Sequence, residues 1–221
     1  KQFMERHRIP TARFRIARTS EEAQKILQSS EFSFPLVVKA DGLAAGKGAI
    51  VCPDKEKALD TIRFLMVQKA FGEAGRSVVI EEFLRGKEVS FIVISDGSRV
   101  QPLVTTMDHK AVYDGDQGPN TGGMGAISPS PFIDAKLFEE IMKNVIYPTV
   151  KGLREEKRPF KGVLYAGLML TDAGPKVLEF NGRFGDPETQ AQMMRLESDL
   201  VDVILIALQG NILEREIQWS E

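Results

Sequence analysis

The sequence is poor in the residues from which disulfides, zinc sites and membrane spans are built. Its 221 residues include one cysteine, Cys52, and two histidines. A single cysteine excludes internal disulfides and fits a reducing compartment such as the cytoplasm. No apolar run approaches the roughly 20 residues that a transmembrane helix needs, and no signal peptide opens the chain. The net charge of -2 gives no indication of nucleic acid or a membrane surface as a partner.

The remaining composition is sufficient for a substantial core. Hydrophobic residues make up 43% of the chain, which allows either one large domain or two lobes. Lys1 is not an initiator methionine, and residues 1–7 resemble the end of a helix that began earlier. We therefore expect the sequence to be a piece of a longer protein.

Hydrophobic periodicity and cap signals predict a mixture of short strands and helices. A long irregular segment, 106–125, interrupts them, and irregular loops of this length are usually functional or disordered. The predicted strands are 13–17, 36–39, 49–52, 77–81, 89–94, 99–105, 163–170 and 176–181, and the predicted helices are 19–28, 54–67, 134–147, a helix beginning at 187–188, and 200–208.

The segment 178–190 contains the clearest chemical pattern. If 176–181 is a strand, Glu179 and Asn181 point to the same face, because side chains alternate along a strand. A carboxylate and an amide oxygen side by side suit a magnesium ion that carries nucleotide phosphates. Arg183 follows, and its planar fork can hold a carboxylate or a phosphoryl group. By itself this pattern also fits a polar strand end that leads into a solvated turn.

A second pattern joins two strands through a glycine-rich loop. Lys39 ends the first strand, and the loop 40–48 contains Gly46, Lys47 and Gly48. Bare glycine amides can approach phosphate oxygens, and two lysines can neutralise a triphosphate. A P-loop is disfavoured, because its glycines lead into a helix and end in Lys-Ser or Lys-Thr. A flexible hairpin with a solvated lysine is the structural alternative.

Two further segments complete the candidate site. A strand that leaves its sheet at 82–84 would expose backbone groups to an adenine edge, with Phe83 and Leu84 as apolar walls and Glu88 as acceptor for ribose hydroxyls. An ordinary hairpin with surface carboxylates is the alternative. The glycines of 118–125 favour an anion-binding backbone, so we interpret 106–125 as a substrate loop. His109 is more often a satisfied polar residue than a ligand, and no second histidine or cysteine near it in sequence suggests zinc.

Taken together, these strings resemble the phosphoribosylamine-glycine ligases, also called glycinamide ribonucleotide synthetases, of the ATP-grasp superfamily. Lys39, Glu81 to Leu84 and the Glu179-x-Asn181 pair match elements shared by ATP-grasp ligases in general. The strings Asp-His-Lys at 108–110, Gly-Pro-Asn-Thr-Gly-Gly-Met-Gly at 118–125 and Arg-Phe-Gly-Asp-Pro-Glu-Thr-Gln at 183–190 are specific to this family. The similarity extends over essentially the whole chain.

The resemblance implies an α+β fold of the ATP-grasp type, in which two α+β lobes hold the nucleotide between them. Residues 1–84 would form the small lobe with its glycine-rich lid, and residues 85–221 the large lobe with the metal and substrate residues. Family members convert glycine to glycyl phosphate with ATP, then join it to 5-phosphoribosylamine. The products are glycinamide ribonucleotide, ADP and phosphate, in purine synthesis.

The resemblance also implies roles for individual residues. Arg183 and Lys47 would be catalytic, and Glu179 and Asn181 would bind Mg²⁺ or Mn²⁺. The ATP-binding residues would be Lys39, Gly46, Lys47, Gly48, Glu81, Glu82, Phe83, Leu84 and Glu88. The substrate-binding residues would be Asp108, His109, Lys110, Asn120, Thr121, Gly122, Gly123, Arg183, Asp186, Pro187 and Glu188.

The sequence departs from the family pattern in two respects. ATP-grasp ligases often have a further acidic metal ligand on the strand before the Glu-x-Asn strand, whereas 167–170 contains no carboxylate. The amino-terminal domain, with a phosphate-contacting lysine, and the carboxy-terminal domain of the family are absent from these 221 residues. We therefore expect the isolated chain to be inactive or nearly so. Another ATP-grasp carboxylate-amine ligase, or a nucleotide-binding module without turnover, are the alternatives.

Overall fold

The computed structural model describes residues 1–42, 44, 47–115 and 117–220, and of Ala111, Pro119 and Asn120 it describes the backbone alone. The helices are α1 (Gln2–Arg6), α2 (Ser20–Gln28), α3 (Lys55–Ile62), α4 (Ala135–Ile141), α5 (Tyr147–Glu155), α6 (Glu188–Met193) and α7 (Leu200–Gln209). The strands are β1 (Phe14–Ala17), β2 (Leu36–Ala40), β3 (Ala49–Cys52), β4 (Val78–Glu82), β5 (Lys87–Asp96), β6 (Val100–Pro102), β7 (Met107–Asp108), β8 (Ala111–Tyr113), β9 (Gln117–Asn120), β10 (Ala126–Ile127), β11 (Lys161–Thr171) and β12 (Gly174–Asn181).

The chain divides into two compact units. The smaller unit is Ala12–Leu84, and the larger unit combines Lys1–Thr11 with Arg85–Glu221. The predicted division at 84/85 grouped residues 1–11 with the small lobe, but their contacts lie in the larger unit. The N–H of Val177 donates to the Pro10 carbonyl at 2.8 Å, and the Thr11 hydroxyl donates to the Val177 carbonyl at 2.6 Å. The functional assignment of the two units stays a prediction.

The smaller unit is a four-stranded antiparallel sheet packed against helices. Its strand order is β1-β4-β2-β3, and β2 and β3 form the hairpin that the glycine-rich loop was predicted to join. Thr19 caps α2 by accepting the N–H of Glu22 at 3.1 Å, which agrees with the predicted start of a helix at 19. The predicted helix 54–67 is confirmed as helical over 55–67, and its second half, Arg63–Val67, is π-helical and follows α3 directly.

Cys52 belongs to the core of the smaller unit. Its side chain is 0% exposed, and its Sγ lies 3.5 Å from the Thr61 hydroxyl oxygen. Burial raises the pKa of the thiol, because the thiolate is poorly solvated there. The residue is therefore a small apolar packing element in the native state.

The larger unit contains a second antiparallel sheet, with the order β12-β11-β5-β6. One face of the sheet packs against α4, the π-helical segment Met142–Ile146 and α5. This is the largest apolar core, and its central residues are Val89, Phe91, Val93, Ile141, Val145, Leu164, Ala166, Leu168 and Val177.

The opposite sheet face is divided into an apolar half and a polar half. Ile92, Ile94 and Tyr165 pack against Val203 and Ala207 of α7. Toward the other end of the same strands, polar side chains replace the apolar ones. Because α7 covers only the apolar half, the polar half carries the candidate site.

Within the described ranges, no helix has the length and apolar character needed to cross a bilayer.

The segment 106–125 is less irregular than the sequence predicted. β7 pairs with β10, and β8 pairs with β9, both antiparallel. Strands of two to four residues are too short to show an alternating pattern. The predicted pairing strand 99–105 is likewise shorter, since β6 covers three residues.

Candidate active site

Strand register places a row of polar side chains on one face of the larger sheet. Gly167 on β11 lies opposite Glu179 on β12 and opposite Ser90 on β5. Residues two apart on a strand share a face. The row therefore includes Glu88, Ser90, Tyr165, Gly167, Glu179 and Asn181.

Glu179 and Asn181 lie side by side at the end of β12, as their spacing predicted. The Asn181 Nδ2 donates to the Glu179 Oε1 at 3.1 Å. A Cβ at Gly167 would lie 3.3 Å from the Cγ of Glu179, so the missing side chain on β11 leaves room for the glutamate. The pair presents hard oxygen donors of the kind that Mg²⁺ binds through one or two protein ligands together with substrate phosphates.

The rest of this surface offers no complete metal cage. Among the described residues, no group of three or more His, Cys, Asp and Glu is arranged to hold a metal ion. A two-ligand half-site fits magnesium carried by a nucleotide and does not fit a structural zinc.

Arg183 is exposed and lies two residues after Asn181 of the metal half-site. One of its guanidinium nitrogens donates to the Phe184 carbonyl at 2.8 Å. The guanidinium carbon lies 5.9 Å from the centre of the Tyr165 ring, within the range of a cation–π contact. These contacts hold the arginine near the polar half of the sheet.

Lys110 pairs with Glu88 on the same surface. Its ammonium donates to the Glu88 Oε1 and lies 4.0 Å from the Asp108 Oδ2. Burial lowers the pKa of Lys110, but the Glu88, Asp108 and Glu179 carboxylates together raise it above its ordinary value. The lysine therefore remains a cation that several carboxylates share.

Asp108 is the most unusual acid of the group. Its side chain is only 4% exposed, and its Oδ1 accepts no hydrogen bond from any residue that the structure describes. Burial, and next to it the Glu188 carboxylate, raise the pKa of Asp108 to about 6, against the opposing effect of Lys110. Gly123 approaches closely, since a Cβ there would lie 3.4 Å from the Asp108 Oδ1 and 2.5 Å from the Pro187 Cδ.

Glu188 is buried at the start of α6, with 1% exposure. Its Oε1 accepts from the Ser90 hydroxyl at 2.5 Å and from the Tyr165 hydroxyl at 2.8 Å. Burial is also the main cause that raises the pKa of Tyr165. Ser90 and Tyr165 were not predicted as site residues, although a serine two residues from Glu88 in an otherwise apolar strand was a detectable signal.

The remaining substrate-loop residues surround Asp108 and Lys110 to different degrees. The Thr121 hydroxyl donates to the Lys110 carbonyl at 2.9 Å and accepts the N–H of Gly123 at 3.1 Å. The backbone of His109 is tied to Gly125 and Met124, and Asp186 accepts from the Gln190 amide at 2.7 Å. Among the described residues, leaving out Gly122 and its two neighbours in the chain, no atom lies within 4 Å of a Cβ placed on Gly122. The Asn120 side chain is outside the described residues.

The predicted phosphate-contacting residues belong to the smaller unit. Lys39 on β2 forms an ion pair with Glu81 on β4, with an N–O distance of 3.1 Å. Lys47 is exposed, its N–H donates to the Ala44 carbonyl, and the Gly48 carbonyl accepts the N–H of Ala40. Gly46 lies outside the described residues.

The predicted adenine-binding segment leaves its sheet later than expected. Glu82 is still part of β4, opposite Leu36, and its N–H donates to the Arg13 carbonyl at 3.0 Å. Its carboxylate accepts from the N–H and the Nε of Arg13 at 3.0 and 2.9 Å. The expected departure at Glu82 is therefore wrong, and the chain leaves β4 at Phe83, which is exposed, while Leu84 is buried.

The fold is that of the ATP-grasp proteins. Over 99% of this chain it resembles the biotin carboxylase domain of the 2-oxoglutarate carboxylase from Hydrogenobacter thermophilus, with a TM-score of 0.73, 18% identity and 47% coverage of that chain. The family model of the phosphoribosylglycinamide synthetase ATP-grasp (A) domain matches residues 1–189, and the chain belongs to this family.

Individual relatives agree with this assignment. The phosphoribosylamine–glycine ligase of Vibrio parahaemolyticus is 52% identical over all 221 residues, which correspond to 51% of that protein. The crystal structure of the phosphoribosylamine–glycine ligase from Thermotoga maritima matches 99% of this chain and 55% of that chain, with a TM-score of 0.86 and 36% identity. This chain thus spans about half the length of the relatives that it matches.

Proposed function

We propose that the full natural chain ligates glycine to 5-phosphoribosylamine with ATP, giving glycinamide ribonucleotide, ADP and phosphate. The observation that carries the proposal is the polar sheet face of the larger unit, where Glu179 and Asn181 share a surface with Lys110, Asp108 and Glu188. A relative that is 52% identical over the whole chain is named for this reaction. The activity would be that of a carbon–nitrogen ligase in purine biosynthesis, and a cytoplasmic location is part of the same proposal.

The residues fit what such a reaction demands of a protein. Phosphoryl transfer to the glycine carboxylate needs in-line positioning and neutralisation of phosphate charge, and little covalent help. Arg183, with its planar guanidinium, is suited to the carboxylate and to the transferred phosphoryl group. Lys39 and Lys47 are suited to the nucleotide phosphates as cations.

ATP with Mg²⁺ or Mn²⁺ is the proposed cofactor pair. Glu179 and Asn181 would hold the metal, which would supply positive charge where the phosphates are closest to the protein. The ATP-grasp relative from Hydrogenobacter thermophilus is described in complex with MgADP. The proposed nucleotide contacts are Lys39, Gly46, Lys47, Gly48, Glu81, Glu82, Phe83, Leu84 and Glu88.

The second step joins the activated carboxyl carbon to the amine of 5-phosphoribosylamine, with phosphate as leaving group. The proposed substrate contacts are Asp108, His109, Lys110, Asn120, Thr121, Gly122, Gly123, Arg183, Asp186, Pro187 and Glu188. The remaining domains of the natural chain are the proposed partners of these residues, so we expect no complete turnover by the 221 residues alone.

The test is product formation by the full natural chain. Glycine, 5-phosphoribosylamine and MgATP should give glycinamide ribonucleotide together with one phosphate per ligation. Glu179→Gln should lower the rate at least about 100-fold, since it removes the charged metal ligand. Glu214→Gln, which changes an exposed glutamate, is the matched control and should leave the rate unchanged. Absence of product with the wild type, or full activity of Glu179→Gln, would contradict the proposal.

A further inference from the structure

A cleft of about 480 Å³ lies in the larger unit, on the side of the sheet that α4 and α5 cover. Its lining includes Val100 and Val150, which belong to the apolar core between the sheet and these helices. The candidate active site occupies the other face of the same sheet. The volume is within the usual range of small-ligand sites, so the cleft has room for a molecule the size of a nucleotide.

The lining of this cleft carries an excess of positive charge. Its described charged residues are four cations and one carboxylate, namely Arg99, Lys143, Lys151, Arg154 and Glu155, whereas the whole chain has a net charge of -2. A cleft that is lined mainly by charges of one sign concentrates its field and attracts ions of the opposite sign. The cleft is therefore suited to an anionic ligand.

Little of this positive charge is neutralised by the protein. Among the described residues, Lys143 and Arg154 form no ion pair. Lys151 lies 3.7 Å from the Glu155 carboxylate, but both side chains are more than half exposed, so water screens their attraction. An anion in the cleft would meet cations whose charge is still available.

Two further contacts hold the walls of the cleft in position. The Arg99 Nε donates to the Asp96 Oδ2 at 3.1 Å, which fixes the turn between β5 and β6. His7 packs against Gly152, where a Cβ would lie 2.6 Å from the His7 Cγ, and its Nε2 lies 3.0 Å from the Glu156 Oε1. Walls that are formed before a ligand binds lower the entropic cost of binding.

Helix α5 presents an aromatic ring and two cations in one row. Tyr147, Lys151 and Arg154 follow each other at spacings of four and three residues, which place them on one face of the helix. Tyr147 is 54% exposed although it lines the cleft. A planar base can stack on such a ring, and an ammonium beside a guanidinium can share a phosphate group. The row is roughly 10 Å long, since a helix rises about 1.5 Å per residue.

We propose that this cleft is a binding site for a nucleoside monophosphate, separate from the ATP site of the proposed function. Lys151 and Arg154 hold the phosphate, and the base lies against Tyr147. Lys143 adds positive charge at the opposite end of the cleft. The inference does not rest on the proposed function, because none of these residues takes part in that chemistry.

The test follows the tyrosine that lines the cleft. The full natural chain is labelled with fluorotyrosine, and the fluorine NMR signal of Tyr147 is identified by its absence from Tyr147→Phe. Adenosine monophosphate, ribose 5-phosphate and adenosine are titrated in separate experiments. Lys151→Ala and Arg154→Ala are the cleft variants, and Lys25→Ala, which removes an exposed lysine from α2 in the smaller unit, is the matched control.

We expect adenosine monophosphate to shift the Tyr147 signal in a saturable manner. Its dissociation constant should rise about tenfold in each cleft variant, since a charge-assisted hydrogen bond to the phosphate is lost. Lys25→Ala should bind it like the wild type. Adenosine lacks the phosphate and ribose 5-phosphate lacks the base, so each should bind at least about tenfold more weakly.

Three results would overturn the proposal. The first is a Tyr147 signal that adenosine monophosphate does not move. The second is the same affinity in the wild type and in both cleft variants, because the nucleotide would then act from another site. The third is adenosine or ribose 5-phosphate binding as tightly as adenosine monophosphate, because the cleft would then not recognise a nucleotide.

Discussion

At the scale of single residues, Asp108 connects the site to protein stability. Its folded-state pKa of about 6 is above the ordinary value of 3.8, so the folded protein binds this proton more tightly than the unfolded chain does. The resulting stabilisation is complete below about pH 4 and is lost as the pH rises through about 6.

We therefore predict that Asp108→Asn gains stability relative to the wild type as the pH rises from 4 to 7. The gain is at most about 3 kcal/mol, since the shift is roughly two pKa units and each unit corresponds to about 1.4 kcal/mol. Urea unfolding followed by the fluorescence of Trp219, the single tryptophan, would measure it. Asp172→Asn is the control, and parallel pH profiles of wild type and Asp108→Asn would contradict the argument.

Gly167 is the residue whose missing side chain matters for the metal half-site. We predict that Gly167→Ala displaces Glu179, because the new Cβ would lie 3.3 Å from its Cγ. An off-rotamer glutamate should raise the magnesium concentration for half-maximal ATP binding about two- to tenfold. Glu214→Ala, which changes an exposed residue outside the proposed site, should leave the magnesium requirement unchanged. The same requirement in both variants would count against this role for Gly167.

At the scale of elements, the stability of α7 depends on the N-cap at its first turn. Asp199 accepts the N–H groups of Val201 and Asp202 at 2.7 and 3.2 Å, and Gly210 ends the helix in a left-handed conformation. We predict that Asp199→Ala destabilises the larger unit by about 1 kcal/mol, the usual loss for an N-cap. The urea midpoint of Trp219 fluorescence is the measurement, with Glu214→Ala as control. Equal midpoints would show that the cap is not needed.

The sequence predicted the long elements better than the short ones. β5 and β11 are apolar runs whose burial on both faces is visible in their composition, and α7 has both an N-cap and a terminal glycine. The pairs β7–β10 and β8–β9 were missed, because strands of two to four residues have no measurable period. The prediction that β4 ends before Glu82 failed, since the Arg13 contacts that extend it come from a distant part of the sequence.

The candidate site could likewise be predicted from the sequence only in part. The Glu179–Asn181 pair was predictable, because a spacing of two on one strand fixes a shared face. The contacts of Glu188 with Ser90 and Tyr165 were not, because they depend on the register of β5 against β11 and on where α6 begins. Local spacing therefore identified the metal half-site, whereas the burial and hydrogen bonds of Glu188 result from tertiary packing.

At the scale of the whole molecule, each unit carries a different part of the proposed nucleotide chemistry. The proposed phosphate-contacting lysines belong to the smaller unit, and the metal half-site to the larger one. We predict that calorimetric titration of the 221-residue chain with ATP gives saturable binding that requires magnesium and that Glu179→Ala weakens. Glu214→Ala should bind like the wild type. Binding that is indifferent to magnesium would contradict the half-site.

The buried thiol of Cys52 offers an independent view of the smaller unit. A residue that is 0% exposed and whose pKa is raised by burial cannot react with an aqueous disulfide reagent until the surrounding structure opens. Because the chain contains no other cysteine, the labelling rate reports a single location. The rate at which mass spectrometry detects labelled Cys52 would therefore measure local opening of the smaller unit under native conditions. No other residue of the chain would react with the thiol reagent.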